Sequence, residues 1–265
     1  MLRSLLGAAC ALAFVGGAAA SQAAPLLYIH DGDFNLGTVD VANGNVSIIG
    51  NMGVQMTDIA FDPDGNLWGI SFDDLYRINK NTAQATLVGA HGIAGGNALV
   101  FATDGTLYAA GFATTGLFTL DPGDGQSTLL LDMGVGSAGD LAFNSGRFFM
   151  AANLEPLDEL FEIDLGSLSA ASVGSLGFDN VFGLATGSDG VLYALSDTNV
   201  LTVDIGTGAA TVHQPFGGQG MGQSFGSSFF TEAGAVEDAP EPATLALVAL
   251  GALAMGWGAR RARAA

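Results

Sequence analysis

An internal repeat of about 42 residues is the feature that most restricts how this chain can fold. An aromatic residue preceded by an apolar one recurs at steps of 40, 40, 41 and 44 residues. A short alternating segment that ends in Asp or Asn follows each aromatic residue. The aromatic positions are Tyr28, Trp68, Tyr108, Phe149 and Tyr193, and the segments end at Asp40, Asn79, Asp121, Asp164 and Asp204.

Each repeat reads as four short strands separated by turn residues. The dipeptides between the first and second strands contain glycine, which accepts the positive φ of a tight hairpin. They are Asp64-Gly65, Asp104-Gly105, Ser145-Gly146 and Asp189-Gly190. The exported part shows no convincing 3.6-residue periodicity, so helices should be scarce. The pattern predicts an all-β fold, a single β-propeller of five four-stranded blades over residues 24–230.

The ends of the repeat region predict how the ring closes. The first repeat lacks its opening strand, and the last is followed by an unassigned segment, Met221 to Phe230. If this segment supplies the missing strand, the ring closes and exposed sheet edges between blades are avoided. Two alternatives stay open: a six-bladed ring with one degenerate blade, and a β-sandwich of irregular hairpins.

The repeats from Leu26 to Phe230 resemble the NHL and gluconolactonase-like propellers of secreted bacterial proteins. They lack the Trp-Asp dipeptide that marks another large propeller family. The resemblance implies that the blades are scaffold and that ligands bind at a mouth of the central channel.

Charge excludes several classes of partner. The exported part has three basic residues, Arg77, Lys80 and Arg147, against 25 acidic ones, a net charge of about −22. Such a field repels nucleic acid and anionic membrane surfaces. The same region is rich in Leu, Val, Ile, Phe and Gly, which indicates a globular domain and excludes a disordered acidic tail.

The C-terminal region has three consecutive parts: Pro240-Glu241-Pro242, an apolar run from Ala243 to Ala259, and a cluster of arginines at Arg260, Arg261 and Arg263. This order resembles the PEP-CTERM sorting signal of Gram-negative bacteria. In that family the membrane protease-transpeptidase exosortase processes the motif, which here implies processing near Pro240 to Pro242. The alternative is an ordinary tail anchor that is never cut.

The apolar run fits a marginal transmembrane helix at residues 243–259. Its 17 residues would span about 25 Å, slightly less than the roughly 30 Å hydrocarbon core of a bilayer. The arginines that follow would keep their end in the cytoplasm and leave the preceding domain outside. An acidic linker at residues 231–239, which contains Glu232, Glu237 and Asp238, would present the cleavage site.

The N-terminus predicts a signal peptide at residues 1–23. Arg3 gives the positive charge, Leu5 to Val15 the apolar region, and Ala18 to Ala20 a signal peptidase site. Cleavage after Ala20 and after Ala23 both fit the small-residue rule. The single cysteine, Cys10, lies inside the signal, so the mature domain has no cysteine with which to form a disulfide.

Candidate ligand-binding residues lie near the predicted innermost strands. Asp58 and Asp140 begin such strands two blades apart, and Asn97 and Asn180 lie near the same mouth. Two carboxyl groups facing a channel could serve a glycosidase. The resemblance to gluconolactonase-like enzymes implies instead that acidic and amide ligands would converge on one divalent metal, and these four residues are scattered candidates for that role. The favoured interpretation is structural: each aspartate accepts hydrogen bonds from backbone amides and fixes one blade to another.

Metal and nucleophile motifs are incomplete. The loop from Asp31 to Asn35 starts like a calcium loop but has Leu36 in place of the required glycine. Three histidines, His30, His91 and His213, lie at non-equivalent positions without a cysteine partner, which argues against zinc. We therefore expect no specific metal site and no cofactor, apart from weak, diffuse Ca²⁺ binding by the acidic surface.

Three functions follow as hypotheses. The favoured one is a non-enzymatic cell-surface or extracellular-matrix protein, sorted by exosortase, whose propeller is a binding or structural module and whose partners include extracellular polysaccharide. The second is a secreted lectin-like propeller, which exposed aromatic residues at equivalent positions would support. The third is a channel-mouth hydrolase or lactonase that uses Asp58 and Asp140.

Overall fold

The computed structural model describes residues 25–235. The predicted signal peptide, the sorting motif at Pro240 to Pro242, the helix at 243–259 and the arginine cluster lie outside the described residues. Within residues 25–235, no helix is long and apolar enough to cross a membrane.

The described chain forms twenty strands. In chain order they are β1 (Leu26–Asp31), β2 (Asn35–Asp40), β3 (Val46–Asn51), β4 (Asp58–Phe61), β5 (Leu67–Ile70), β6 (Asp74–Ile78), β7 (Ala85–Ala90), β8 (Gly96–Phe101), β9 (Leu107–Gly111), β10 (Gly116–Leu120), β11 (Ser127–Asp132), β12 (Ser137–Asn144), β13 (Arg147–Ala152), β14 (Glu159–Asp164), β15 (Ser169–Ser175), β16 (Val181–Thr186), β17 (Leu192–Ser196), β18 (Asn199–Val203), β19 (Ala210–Pro215) and β20 (Ser224–Phe229).

The strands form five antiparallel four-stranded sheets, so the five-bladed propeller is confirmed. Blades 2 to 5 each use four consecutive strands, β4–β7, β8–β11, β12–β15 and β16–β19. Blade 1 has the order β20-β1-β2-β3, with Leu27 opposite Phe229. The C-terminal strand therefore supplies the missing innermost strand, as the leftover segment predicted. A six-bladed ring and a β-sandwich are both excluded.

The innermost strands, β20, β4, β8, β12 and β16, contact one another in turn around a central channel. We call the end at which these strands begin the upper face and the end at which they finish the lower face. The hairpins between the first and second strands lie on the lower face. Gly65, Gly105, Gly146 and Gly190 have φ between 75° and 87° there, as the turn chemistry predicted.

The polar residue that ends or directly follows each third strand is a turn residue. Asp40 Oδ1 accepts a hydrogen bond from the amide of Ala42, two positions further on, at 2.9 Å. Asp121, Asp164 and Asp204 repeat this contact, as does Asn79. This series therefore fixes blade turns.

The repeated aromatic residues pack between blades. Trp68, Phe149 and Tyr193 are buried, and Tyr28 and Tyr108 are half-buried. Four of the five meet a phenylalanine near the end of the next innermost strand, because both series recur with the same period. The ring centroids are 4.9 Å apart in Tyr28–Phe61, 5.8 Å in Trp68–Phe101, 5.9 Å in Tyr108–Phe143 and 5.5 Å in Tyr193–Phe229.

Closure of the ring by β20 predicts a large cost for removing Phe229, which is 1% exposed. Phe229→Ala should lower the free energy of unfolding by about 3–5 kcal/mol, because it removes a buried ring between blades 5 and 1. The matched control is Phe112→Ala on an exposed loop, with an expected loss below about 1 kcal/mol. If chemical denaturation showed equal losses of unfolding free energy in the two variants, the inference that the closing strand holds blades 5 and 1 together would be contradicted.

Candidate functional site

Asp58 and Asp140 meet inside the channel. They lie on β4 and β12, two blades apart, and their carboxyl groups hydrogen-bond to each other. Both residues are 0% exposed. The structure thus brings together the pair that the sequence selected, at a depth that bulk solvent does not reach.

Asp58 connects blade 2 to blade 3. Its Oδ1 accepts the amide of Ile59 at 2.7 Å, and its Oδ2 accepts the amide of Leu99 on β8, also at 2.7 Å. Both acceptor oxygens are thereby occupied by backbone. The bond from Leu99 is the blade-to-blade hydrogen bond of the favoured structural interpretation, and the bond from Ile59 lies within β4.

Asp140 makes the equivalent connection from blade 4 to blade 5. Its Oδ1 accepts the amide of Leu141 at 2.6 Å, and its Oδ2 accepts the amide of Leu184 on β16 at 2.5 Å. The hydroxyl of Ser227 on β20 donates to the same Oδ2 at 3.5 Å. Through this pair, strands from all five blades are linked directly or through their neighbours.

Burial determines the protonation of this pair. Desolvation raises the pKa of Asp58 well above its ordinary value, although hydrogen bonds to Asp140 and to the two amides oppose the rise. Desolvation also raises the pKa of Asp140, and the charge of Asp58 raises it further. Two adjacent carboxylates cannot both ionise at low cost in such a site. We therefore expect the pair to hold a proton to a higher pH than exposed aspartates do.

A third carboxyl group closes the lower end of the channel. Glu232 Oε1 accepts the amide of Thr186 at 3.2 Å, and Oε2 accepts the hydroxyl of Ser228 at 2.9 Å. Burial raises the pKa of Glu232 to about 8, against the lowering effect of these hydrogen bonds. Ala233 and Ala235 are buried as well. The chain predicted to be a linker from residue 231 is thus packed against the domain as far as Ala235.

His30 is a further buried polar group beside the pair. It is 0% exposed, and neither ring nitrogen has a hydrogen-bond partner among the described residues. Burial lowers its pKa to about 3, against the opposing charge of Asp31, so the ring is neutral. Gly226 allows β20 to pass here, since a side chain would approach Asp58 Oδ1 to 2.5 Å and His30 Nε2 to 2.7 Å.

The upper mouth of the channel is an aromatic cavity of about 190 Å³ that all five blades line. Phe72 and Phe112 meet edge to face with centroids 5.7 Å apart, and Phe182 stacks on Phe225 at 5.4 Å and 5°. Phe72 is 43% and Phe112 50% exposed. We call these four residues the phenylalanine mouth. Larger open grooves of about 670 and 470 Å³ lie on the outer parts of blades 2 and 4, and each uses residues of one blade only.

The two candidate asparagines have different positions. Asn97 lines the cavity, and its Nδ2 donates to the carbonyls of Ser137 at 3.2 Å and Ala138 at 3.0 Å. Its buried Oδ1 has no donor among the described residues. Asn180 is exposed and donates to Asp179 at 2.9 Å, so it does not join Asp58 and Asp140.

Asn180 belongs to a smaller recess of about 100 Å³ beside the phenylalanine mouth. Ala138, Asn153 and Phe182 line both spaces. The recess also contains Glu155, Asp158 and Asp179. We call these three the acidic recess. Burial raises the pKa of Asp158 to about 6, a hydrogen bond from the amide of Val181 opposes the rise, and the neighbouring acids add to it.

The described residues offer no preformed metal site, because no three of their His, Cys, Asp and Glu side chains are grouped to hold an ion. The calcium-like loop is a turn: Asp31 Oδ1 accepts the amides of Asp33 at 3.1 Å and Asn35 at 2.9 Å. Its Oδ2 accepts the amide of Gly222 at 3.0 Å, which attaches the loop to the segment before β20.

The chemical capacity of the buried pair is limited by its contacts. Catalysis by Asp58 and Asp140 would need free carboxylate oxygens and room for a substrate between them. Their oxygens instead accept amides, and the carboxyl groups touch. Sequence reasoning missed Glu232, which lies after the last repeat, and it considered His30, on β1, only as a zinc ligand. It also missed the phenylalanine mouth, because Phe72 and Phe112 lie in loops, Phe182 and Phe225 lie on β16 and β20, and none of the four belongs to the repeated aromatic series.

Comparison with known proteins identifies the C-terminal signal. The family model described as the PEP-CTERM protein-sorting motif matches residues 238–262. The chain carries a PEP-CTERM sorting motif. This motif implies export and processing by exosortase, as the Pro-Glu-Pro, helix and arginine pattern predicted. A search of the curated proteins gives no match.

Solved structures support the fold. One chain, from work on the de novo evolutionary emergence of a symmetrical protein, is 18% identical with a TM-score of 0.52, covering 75% of this chain and 96% of that one. A structural-genomics protein of unknown function from Bacteroides thetaiotaomicron is 16% identical with a TM-score of 0.50, covering 64% of this chain and 53% of its own. At these identities the likeness concerns the fold alone.

The buried acids predict an unusual pH dependence of stability. Asp58, Asp140 and Glu232 have raised pKa values when folded, so the folded state binds their protons more tightly than the unfolded chain. The stability they confer is complete below their unfolded pKa of about 4 and is lost as the pH rises through the folded values. The contribution of Glu232, whose folded pKa is about 8, should therefore fall between about pH 5 and pH 8. The contributions of Asp58 and Asp140 should likewise fall as the pH rises above their unfolded pKa.

Glu232→Gln isolates one part of this effect. The variant keeps a hydrogen-bonding side chain without the charge, so it should reduce the stability loss between pH 5 and pH 8 by at least about 1 kcal/mol. Asp33→Asn, at an exposed site in the loop between β1 and β2, is the control. Denaturant titrations across this pH range give the comparison, and parallel pH profiles for wild type and Glu232→Gln would refute the assignment.

Asp140 joins blades 4 and 5 through backbone hydrogen bonds, and this role predicts a second difference in stability between variants. Asp140→Ala leaves the buried amides of Leu141 and Leu184 without their acceptor and should cost about 2–5 kcal/mol of unfolding free energy at pH 5. Asp132→Ala, in an exposed turn, should cost less than about 1 kcal/mol. Similar losses of unfolding free energy in the two variants would show that Asp140 does not hold the two blades together.

Proposed function

We propose that this protein is a non-enzymatic binding module which is exported, sorted by exosortase and retained at the cell surface or in the extracellular matrix. The observation that carries the proposal is the PEP-CTERM match at residues 238–262, immediately after a domain that stays packed as far as Ala235. The sorting motif would direct the protein to its location, and the propeller would provide a rigid domain with an accessible aromatic mouth.

The arrangement of the two faces supports a binding role. Glu232 and the segment that follows β20 occupy the lower end of the channel, on the side from which the chain continues to the sorting motif. The phenylalanine mouth lies at the opposite end. A domain tethered through its lower face would therefore present the mouth outward.

A lectin-like propeller is the second candidate. Phe72 and Phe112 occupy equivalent loops of neighbouring blades, between β5 and β6 and between β9 and β10. Both are substantially exposed, which is the aromatic pattern that the lectin hypothesis required. A hydrolase has weaker support, because its two proposed acids are buried and engaged by backbone amides.

The sorting proposal is tested by the mass and location of the mature protein. Wild type should lack the first 20 to 23 residues and the tail after about Ala239. Glu241→Ala should keep the tail and stay in the membrane fraction, because it alters the Pro-Glu-Pro motif. Glu237→Ala, which removes a nearby acid outside that motif, should behave like wild type. Retention of the tail in all three proteins would indicate an uncut membrane anchor.

A further inference from the structure

The phenylalanine mouth and the acidic recess form one continuous, electron-rich surface. They share the lining residues Ala138, Asn153 and Phe182. The faces of four phenylalanine rings carry negative electrostatic potential. Asn97 adds a carbonyl oxygen that has no donor among the described residues. Each of these groups favours a ligand that is positively charged or donates hydrogen bonds.

No protein cation satisfies this surface. The described residues include three Lys and Arg side chains, and all are engaged elsewhere. Arg77 lies 4.8 Å above the Trp68 ring, and Lys80 lies 4.2 Å from the Phe230 ring. Arg147 pairs with Glu162 at 2.6 Å near the lower face. The acids around Asp158 therefore repel one another without a compensating positive charge.

The size of the cavity restricts the ligand further. About 190 Å³ is smaller than the roughly 300–1,000 Å³ of sites for drug-sized molecules. It suits a small head group or one ring. The surrounding negative charge opposes phosphates, sulfates and carboxylates.

We infer that the upper mouth binds a small organic ammonium ion, with the cationic group against the phenylalanine rings and its field complemented by the acidic recess. The contact is a cation–π interaction, which strengthens when the cation is desolvated. The ion could be free or carried as an amine substituent on a neutral polymer. This inference rests on the proposed binding-module function and specifies its ligand class.

Two probes of equal shape test the charge requirement. Choline carries a quaternary ammonium, and 3,3-dimethylbutanol is its uncharged carbon analogue. Calorimetric titration of the propeller within the full exported chain should detect choline binding and at least tenfold weaker binding of the analogue. A glucosamine oligomer and its N-acetylated form repeat the comparison for a polymer-borne amine and distinguish that source from the free ion.

Variants locate the site. Phe112→Ala should weaken choline binding by about three- to thirtyfold, the range expected for one cation–π contact. Asp179→Asn, which removes an exposed charge of the recess, should weaken it by about twofold. Leu87→Ala is the control, since Leu87 is 58% exposed on β7, away from the mouth, and should leave affinity unchanged.

The outcomes separate this inference from the function on which it rests. Equal binding of choline and its analogue, both lost in Phe112→Ala, would overturn the ammonium assignment while the mouth remained a binding site. Absence of binding by all four probes would also overturn the ammonium assignment. The proposed binding function of the mouth would then be tested by measuring how much of each variant the matrix retains. If Phe112→Ala and Leu87→Ala are retained equally, the mouth is not the binding surface.

Discussion

The fold depends on a pair of acids buried where the blades converge. Five innermost strands must approach closely around one axis, and some of their amides need acceptors that a propeller blade does not supply by itself. Asp58 and Asp140 supply them across blade boundaries. The cost is desolvation of two carboxyl groups, which a shared proton would reduce. The channel is consequently a structural core at this level rather than an open passage.

This core divides the molecule into two functional faces. Below it, Glu232 and the end of the chain fill the channel and link blades 5 and 1 through Thr186 and Ser228. Above it, the blades separate enough to leave the phenylalanine mouth. The strand that closes the ring is also the last strand that the structure describes. A closed domain whose channel is filled below and open above therefore depends on the same C-terminal segment.

The sequence predicted those features that obey the repeat. The 42-residue period determined the blade number, the glycine-containing turns marked the hairpins, and the missing first strand indicated closure by the C-terminal segment. The blade-linking role of Asp58 and Asp140 followed from their predicted positions at strand starts. The structure places Asp58 first in β4 but places Asp140 inside β12, which begins at Ser137. Glu232 escaped detection because the composition around it suggested a solvated linker, and only the packed structure shows that it is half-buried and hydrogen-bonded. The phenylalanine mouth was missed because it combines two loop residues, Phe72 and Phe112, with two strand residues, Phe182 and Phe225, that lie outside the repeated aromatic series. Asn180 turns away into the acidic recess.

The most direct measurement is a residue-resolved NMR titration of the side-chain carboxyl carbons. We predict that the Asp58–Asp140 pair still holds a proton at pH 7, while exposed Asp104, whose pKa is lowered by hydrogen bonds from Thr106, is ionised well below that pH. Persistence of the shared proton would establish the buried Asp58–Asp140 pair on which the closed ring and its two faces depend. Ionisation of both Asp58 and Asp140 near pH 4 would contradict it and would indicate a solvated channel.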